Sequence, residues 1–155
     1  MTFMSQADPA LQPSSARCIR KAGPGDLVAM LECDSYAQAH AEREQEVRIA
    51  LEQGQGWVEM CNEQVTGYLL LRHDFFGQGF VSLVVVAPGQ QRQGVALRLL
   101  GAAQQACRTA RLFTSTNRSN QAAQRLFAKA GFQPSGVIEN LDEGDPELIF
   151  CKAVG

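Results

Sequence analysis

An excess of charge of either sign is missing from this chain. Its 155 residues carry 14 Lys and Arg against 16 Asp and Glu, a formal net charge of −2 with pI near 5.7. The basic footprint that grips nucleic acid or an anionic membrane surface is therefore absent. Long apolar runs are missing too. The longest, Leu83 to Ala87, suits a buried strand and falls far short of the ~20 residues that span a bilayer. Residues Met1 to Arg17 hold Pro9, Pro13 and several Ser and Gln, without the basic start and apolar centre of a secretory signal. Residues 1–16 are expected to form a mobile tail ahead of one domain over 17–155. The five cysteines, Cys18, Cys33, Cys61, Cys107 and Cys151, are odd in number and make no C-x-x-C pair, which argues against a disulfide framework and a thiolate zinc site. They read as buried free thiols of a reducing cytoplasm. His40 and His73 are the only histidines, and no metal site can be built from them.

What is present is a core-sized apolar fraction, 45% of the chain, and one organising stretch from Leu83 to Leu100. There a β-branched strand meets Pro88, then a Gly- and Gln-rich loop, then a segment with helical spacing of apolar residues. The loop thus sits at a helix N-terminus, where backbone N–H groups lack intrahelical partners and carry partial positive charge. Gly94 and Ala96 put no bulky side chain between those amides and an approaching phosphate. Gly89 to Gly94 has the G-x-x-x-x-G spacing of a nucleotide P-loop, but Val95-Ala96 stand where that motif needs Lys and Ser or Thr. The G-x-G-x-x-G of a dinucleotide site is absent as well.

The remaining chain reads in order as a strand at Cys18–Arg20, a helix from Asp26 with Leu27, Met30 and Leu31 on one face, and a second helix over roughly Tyr36 to Gln53. Strands at Trp57–Cys61 and Val65–Leu71 follow, joined by a turn at Asn62–Gln64. A polar loop from His73 to Gly79 leads into the Phe80–Val86 strand. The helix from about Val95 to Arg108 buries Leu99, Leu100, Ala103, Ala106 and Cys107 and exposes Arg98. After a strand at Arg111–Ser115, a last helix carries Ala123, Leu126 and Phe127 on one stripe and stops at Gly131. Ser135–Leu141 and Glu147–Ala153 close the chain as two strands.

Gln91-Arg92-Gln93-Gly94-Val95-Ala96, preceded by V-x-P at Val86–Pro88, matches [QR]-x-x-G-x-[GA]. It resembles the pyrophosphate-binding signature of the GNAT superfamily, the Gcn5-related acetyl-CoA-dependent N-acetyltransferases. Asn120-x-x-Ala123-x-x-Leu126-Phe127-x-Lys129-x-Gly131-Phe132 is similar to that family's second CoA-contacting segment, and the order β-αα-βββ-α-β-α-ββ matches as well. The resemblance implies an α/β (α+β) fold with a mixed central sheet flanked by helices and a splayed parallel pair, Phe80–Val86 and Arg111–Ser115. It implies acetyl-CoA as co-substrate, held by Val84, Val86, Gln91, Arg92, Gln93, Gly94, Val95, Ala96, Asn120, Phe127 and Lys129. It further implies a small-molecule or peptide amine as acceptor and leaves a homodimer open, since members of the family are often dimers, while the free thiols and the two histidines point to a cytoplasmic protein without metal.

Two departures stand out. Phe127 occupies the position that usually carries a tyrosine acid for the departing thiol, and the Phe80–Val86 strand lacks the glutamate that some members use as base. Glu139, Asp145 and Glu147, near the terminal hairpin, are the remaining base candidates, and only Tyr36 and Tyr68 could replace the lost hydroxyl. These departures keep open a non-catalytic acyl-CoA-binding sensor or partner module. An acyltransferase acting on a hydroxyl is a third reading.

Overall fold

The computed structural model describes residues 16–155; apart from Ala16, the expected tail lies outside them. Seven strands form one mixed sheet in the order β1-β2-β3-β4-β5-β7-β6. They are β1 (Arg17–Lys21), β2 (Gly56–Cys61), β3 (Gln64–Phe75), β4 (Gln78–Val86), β5 (Arg111–Asn117), β6 (Gln133–Ile138) and β7 (Glu147–Ala153). The helices are α1 (Leu27–Cys33), α2 (Ala41–Glu52), α3 (Val95–Ala106) and α4 (Gln121–Lys129). One face of the sheet buries Met30, Val47, Tyr68 and Leu70 beneath α1 and α2, and the other buries Leu69, Val81, Leu99, Leu112 and Phe127 beneath α3 and α4. The element order is the one read from the sequence.

Several local expectations are corrected. The helix expected over Tyr36–Gln53 is broken: a short 3-10 turn, Tyr36–Gln38, precedes α2. The carboxylate of buried Asp34 accepts from the amides of Tyr36 and Ala37 at 3.1 and 3.4 Å, which ends α1 in a separate turn. The loop expected from His73 to Gly79 is a hairpin instead. Phe76 and Gly77 take φ of 50° and 75°, the left-handed pair that a tight turn between twisted strands requires, and Phe75 stacks on Phe80 at 4.6 Å between ring centres. The cysteines are not uniformly buried: Cys33 is, whereas Cys18 is exposed and the other three are half-buried.

Between β4 and β5 only three residue pairs are in register: Gly79 with Leu112, Phe80 with Phe113, Val81 with Thr114. The last tie is the buried Thr114 hydroxyl, which donates to the Val81 carbonyl at 3.0 Å. The β3–β4 register skips Ser82, pairing Leu70 with Leu83 and Leu71 with Val81. A bulge bends the strand that carries it, and here it falls where the parallel pair comes apart.

Candidate active site

Beyond that point the two strands diverge and leave a cleft of about 280 Å³, lined among others by Ser82, Val84, Val86, Ala96, Ser115, Asn120 and Phe127. The orientation of the β4 backbone in the cleft follows from one hydrogen bond. Ala87 N–H donates to the Thr66 carbonyl of the β3 chain at 2.8 Å. In an antiparallel ladder successive residues turn their N–H and C=O alternately to opposite edges. Ala87 and Val85 therefore face β3, and Val86 and Val84 present theirs to the cleft.

At the cleft mouth, the loop between β4 and α3 takes positive φ at Gly89 (84°), Arg92 (64°) and Gly94 (77°). The amides of Gly94, Val95 and Ala96 have no partner among the described residues, so three donors stand free at the positive end of a twelve-residue helix. Gln91, Arg92 and Gln93 are exposed on this loop, and the Val95 side chain is buried in the core, leaving only its amide available.

Beneath the loop lies a residue that the sequence reading passed over. Glu59 of β2 is fully buried. Its Oε1 accepts from Arg17 Nη1 at 2.8 Å and Arg98 Nη2 at 2.9 Å, and its Oε2 accepts from Arg98 Nε at 3.2 Å. Arg98 also donates from Nη1 to the Gln93 carbonyl at 2.8 Å, and Arg17 from Nη2 to Gln93 Oε1 at 2.7 Å. Arg98, expected to be exposed, is partly exposed and turns its guanidinium to Glu59 and the Gln93 carbonyl. The only sequence signal was a charged residue inside the apolar strand Trp57-Val58-Glu59-Met60.

Of the second segment, Asn120 caps α4, its side chain accepting from Ala123 N–H at 3.1 Å, and it lines the cleft with Phe127. Phe127 is buried against Phe132 and Phe150. Lys129 is exposed in the last turn of α4 and does not line the cleft. Neither tyrosine reaches the cleft lining. Tyr36 is exposed and stacked on His40, and Tyr68 is fully buried with its hydroxyl donating to Asp34 at 2.5 Å.

The three acidic candidates separate clearly. Asp145 accepts from the Ser119 hydroxyl at 2.5 Å and the Ser119 N–H at 3.0 Å, and these bonds hold its carboxyl below the usual range. It ties the terminal hairpin to the loop before α4, a structural task that makes it a poor base. Glu139 is exposed beyond the end of β6. Glu147 is half-buried and pairs across with Asn117 of β5. Side chains alternate along a strand, and Leu112 and Thr114 point to the α3 face. Phe113, Ser115, Asn117 and their cross-strand neighbour Glu147 therefore share the opposite face.

That face carries an aromatic floor one step before the strands part. Phe75 lies 4.6 Å from Phe80 and 5.3 Å from Phe113 between ring centres, with Phe76 exposed at its rim. Among the described residues no group of three or more His, Cys, Asp or Glu is placed to hold a metal, and no helix is long and apolar enough to cross a membrane.

The acetyltransferase (GNAT) family model matches residues 25–132. A GNAT-family acetyltransferase from Bacillus cereus ATCC 10987 shares 33% identity and a TM-score of 0.84, over 89% of this chain and 97% of that one. The ribosomal-protein-S18-alanine N-acetyltransferase of Escherichia coli shares 19% identity and a TM-score of 0.75, covering 90% and 95%. yncA from Salmonella typhimurium, solved with its cofactor acetyl-CoA, shares 21% and 0.70, also covering 90% and 95%. No curated protein matches the sequence.

Proposed function

The chain belongs to the acetyltransferase (GNAT) family, whose co-substrate is acetyl-CoA, and from that premise we propose that it transfers the acetyl group to a primary amine by direct attack. The observation that carries this reading is the unpaired β4 edge. Val84 and Val86 turn N–H and C=O groups into a cleft whose mouth is ringed by free amides. A pantetheine arm extends such an edge as another strand would, and its diphosphate suits the amides of Gly94, Val95 and Ala96.

The thioester supplies an activated acyl carbon. The chain supplies an amide of β4 to stabilise the oxyanion, and shelter from water between α3 and α4. The amine approaches from the face that α3 and α4 leave open, over Phe80, Phe113 and Ser115. A lysine-like amine with a pKa of about 10.4 is mostly protonated at neutral pH, so its proton must be taken. Glu147, on that face, receives it directly or through water. No acid is needed for the thiol, whose ordinary pKa of about 8.5 lets it leave as thiolate, and Phe127 is compatible with that.

The absence of a hydroxyl at Phe127 favours one competing reading, a sensor that binds acyl-CoA without turning it over. Acetyl-CoA is mixed with the protein and a panel of alkyl, arylalkyl and poly-amines, and free thiol is followed. Amine-dependent thiol release is the expected result. Tight CoA binding with no amine-dependent release establishes the sensor instead.

A further inference from the structure

We propose that Glu59 is the positioning residue of the diphosphate loop, acting through Arg98 on the peptide between Gln93 and Gly94. The inference rests on the reading that CoA lies at that loop. A trans peptide sends its C=O and N–H to opposite sides. Arg98 Nη1 draws the Gln93 carbonyl inward at 2.8 Å, and the Gly94 N–H on the same peptide is thereby turned outward. The guanidinium is held for this by a two-point fork on Glu59, Nε to Oε2 and Nη2 to Oε1, while Arg17 occupies Oε1 from the other side.

Burial gives the fork its strength: Glu59 has no solvent exposure, so water does not compete for its oxygens. Glycine at position 94 is part of the same device. A Cβ there would lie 3.0 Å from Arg98 Nη1, and the φ of 77° is one that side chains rarely adopt. Charge completes it, because two guanidiniums against one carboxylate leave a net positive charge beneath the amides that receive the anion.

The test compares wild type, Glu59→Gln and Arg98→Met. The second variant alters a partly exposed side chain and leaves Glu59 paired with Arg17, so it covers the case in which Glu59→Gln does not fold. The Kd for CoA is measured by calorimetry, and that for pantetheine, which lacks the diphosphate, by ligand-observed NMR. The expected result is a loss of at least tenfold for CoA and less than twofold for pantetheine. In steady state, KM for acetyl-CoA rises while kcat at saturation holds within threefold. Wild-type affinity for CoA in the variants overturns the proposal, and so does an equal loss for both ligands, which marks general damage to the cleft. A wild-type protein that binds no CoA at all defeats the underlying reading, and the role of Glu59 falls with it.

Discussion

Alanine at Gly94 and at Gly89 perturbs the anion loop in two separable ways. Both glycines have positive φ, 77° and 84°. A left-handed conformation costs an L-residue about 1–2 kcal/mol, which corresponds to roughly 5- to 30-fold in an equilibrium constant. In the alanine variants the unliganded loop is expected to relax out of this conformation, so that the cost falls on binding. At Gly89 nothing lies within 4 Å of the added Cβ, so backbone strain is the whole effect. At Gly94 the Cβ would also meet Arg98 Nη1 at 3.0 Å, so the guanidinium must give by a few tenths of an ångström and its bond to the Gln93 carbonyl is stretched. A hydrogen bond from a charged donor contributes about 1.5–3 kcal/mol, and losing about half of that makes Gly94→Ala lose about fivefold more affinity than Gly89→Ala. Calorimetric titration with CoA reads both, with melting temperatures confirming that the variants are folded. Equal losses at the two positions would remove the Arg98 contact from the account. Undiminished affinity in both would refute the amide loop as the diphosphate site.

Glu147→Gln should lower kcat/KM for the amine by about 100-fold or more near neutral pH, within the range of a lost general base, and leave KM for acetyl-CoA unchanged; a change under threefold assigns proton removal to another group. Phe80→Ala with Phe113→Ala should raise KM for an arylalkyl amine by about tenfold, since each aromatic contact contributes about 0.5–1.5 kcal/mol, while a polyamine is unaffected; parallel losses for both amines contradict the floor. Tyr68→Phe removes the donor facing buried Asp34, leaving that carboxylate with Arg43 and the turn amides. It should cost about 1–3 kcal/mol and several degrees of melting temperature, with CoA affinity intact; an unchanged melting temperature argues against the network. Burial, with Asp34 adding to it, pushes the Cys33 thiol from 9.0 up to about 12, and burial raises Tyr68 as well. Both groups hold their protons more tightly folded than unfolded, so the stabilising effect of Cys33 is full below pH 9 and is lost as pH climbs to about 12, whereas that of Tyr68 begins to fall only above its ordinary 10.0. Denaturant titrations across that window should show a fall that Cys33→Ala makes shallower, and an identical slope in the variant excludes Cys33 as a cause.

Local chemistry was legible in the sequence where one residue type has few uses. Asn is one of the few residue types that cap a helix N-terminus, and the structure has the Asn120 side chain accepting from the Ala123 amide. Gly131 after Lys129 announced the stop, and it takes φ of 90°. Val86-Ala87-Pro88 followed by Gly94-Val95-Ala96 announced strand, loop and helix, and these elements position the cleft mouth. Legibility failed wherever a residue's role depended on a partner distant in sequence. His73 to Gly79 looked like a loop because His, Asp and two Gly are poor strand formers, yet Phe75 finds Phe80 and Phe113 and the strand runs on. Arg98 faces solvent in part, as its helical phase indicates, but its guanidinium is held by a glutamate 39 positions earlier in the chain. Glu59 itself was invisible for the same reason: a buried carboxylate is tolerable only when its cations arrive, and Arg17 and Arg98 come from opposite sides of it in the chain. The hexapeptide motif therefore covers the amides proposed to receive the diphosphate but omits the Glu59–Arg98 pair that holds the Gln93 carbonyl. In this fold the orienting charge sits one layer below the loop, on a strand that carries no motif.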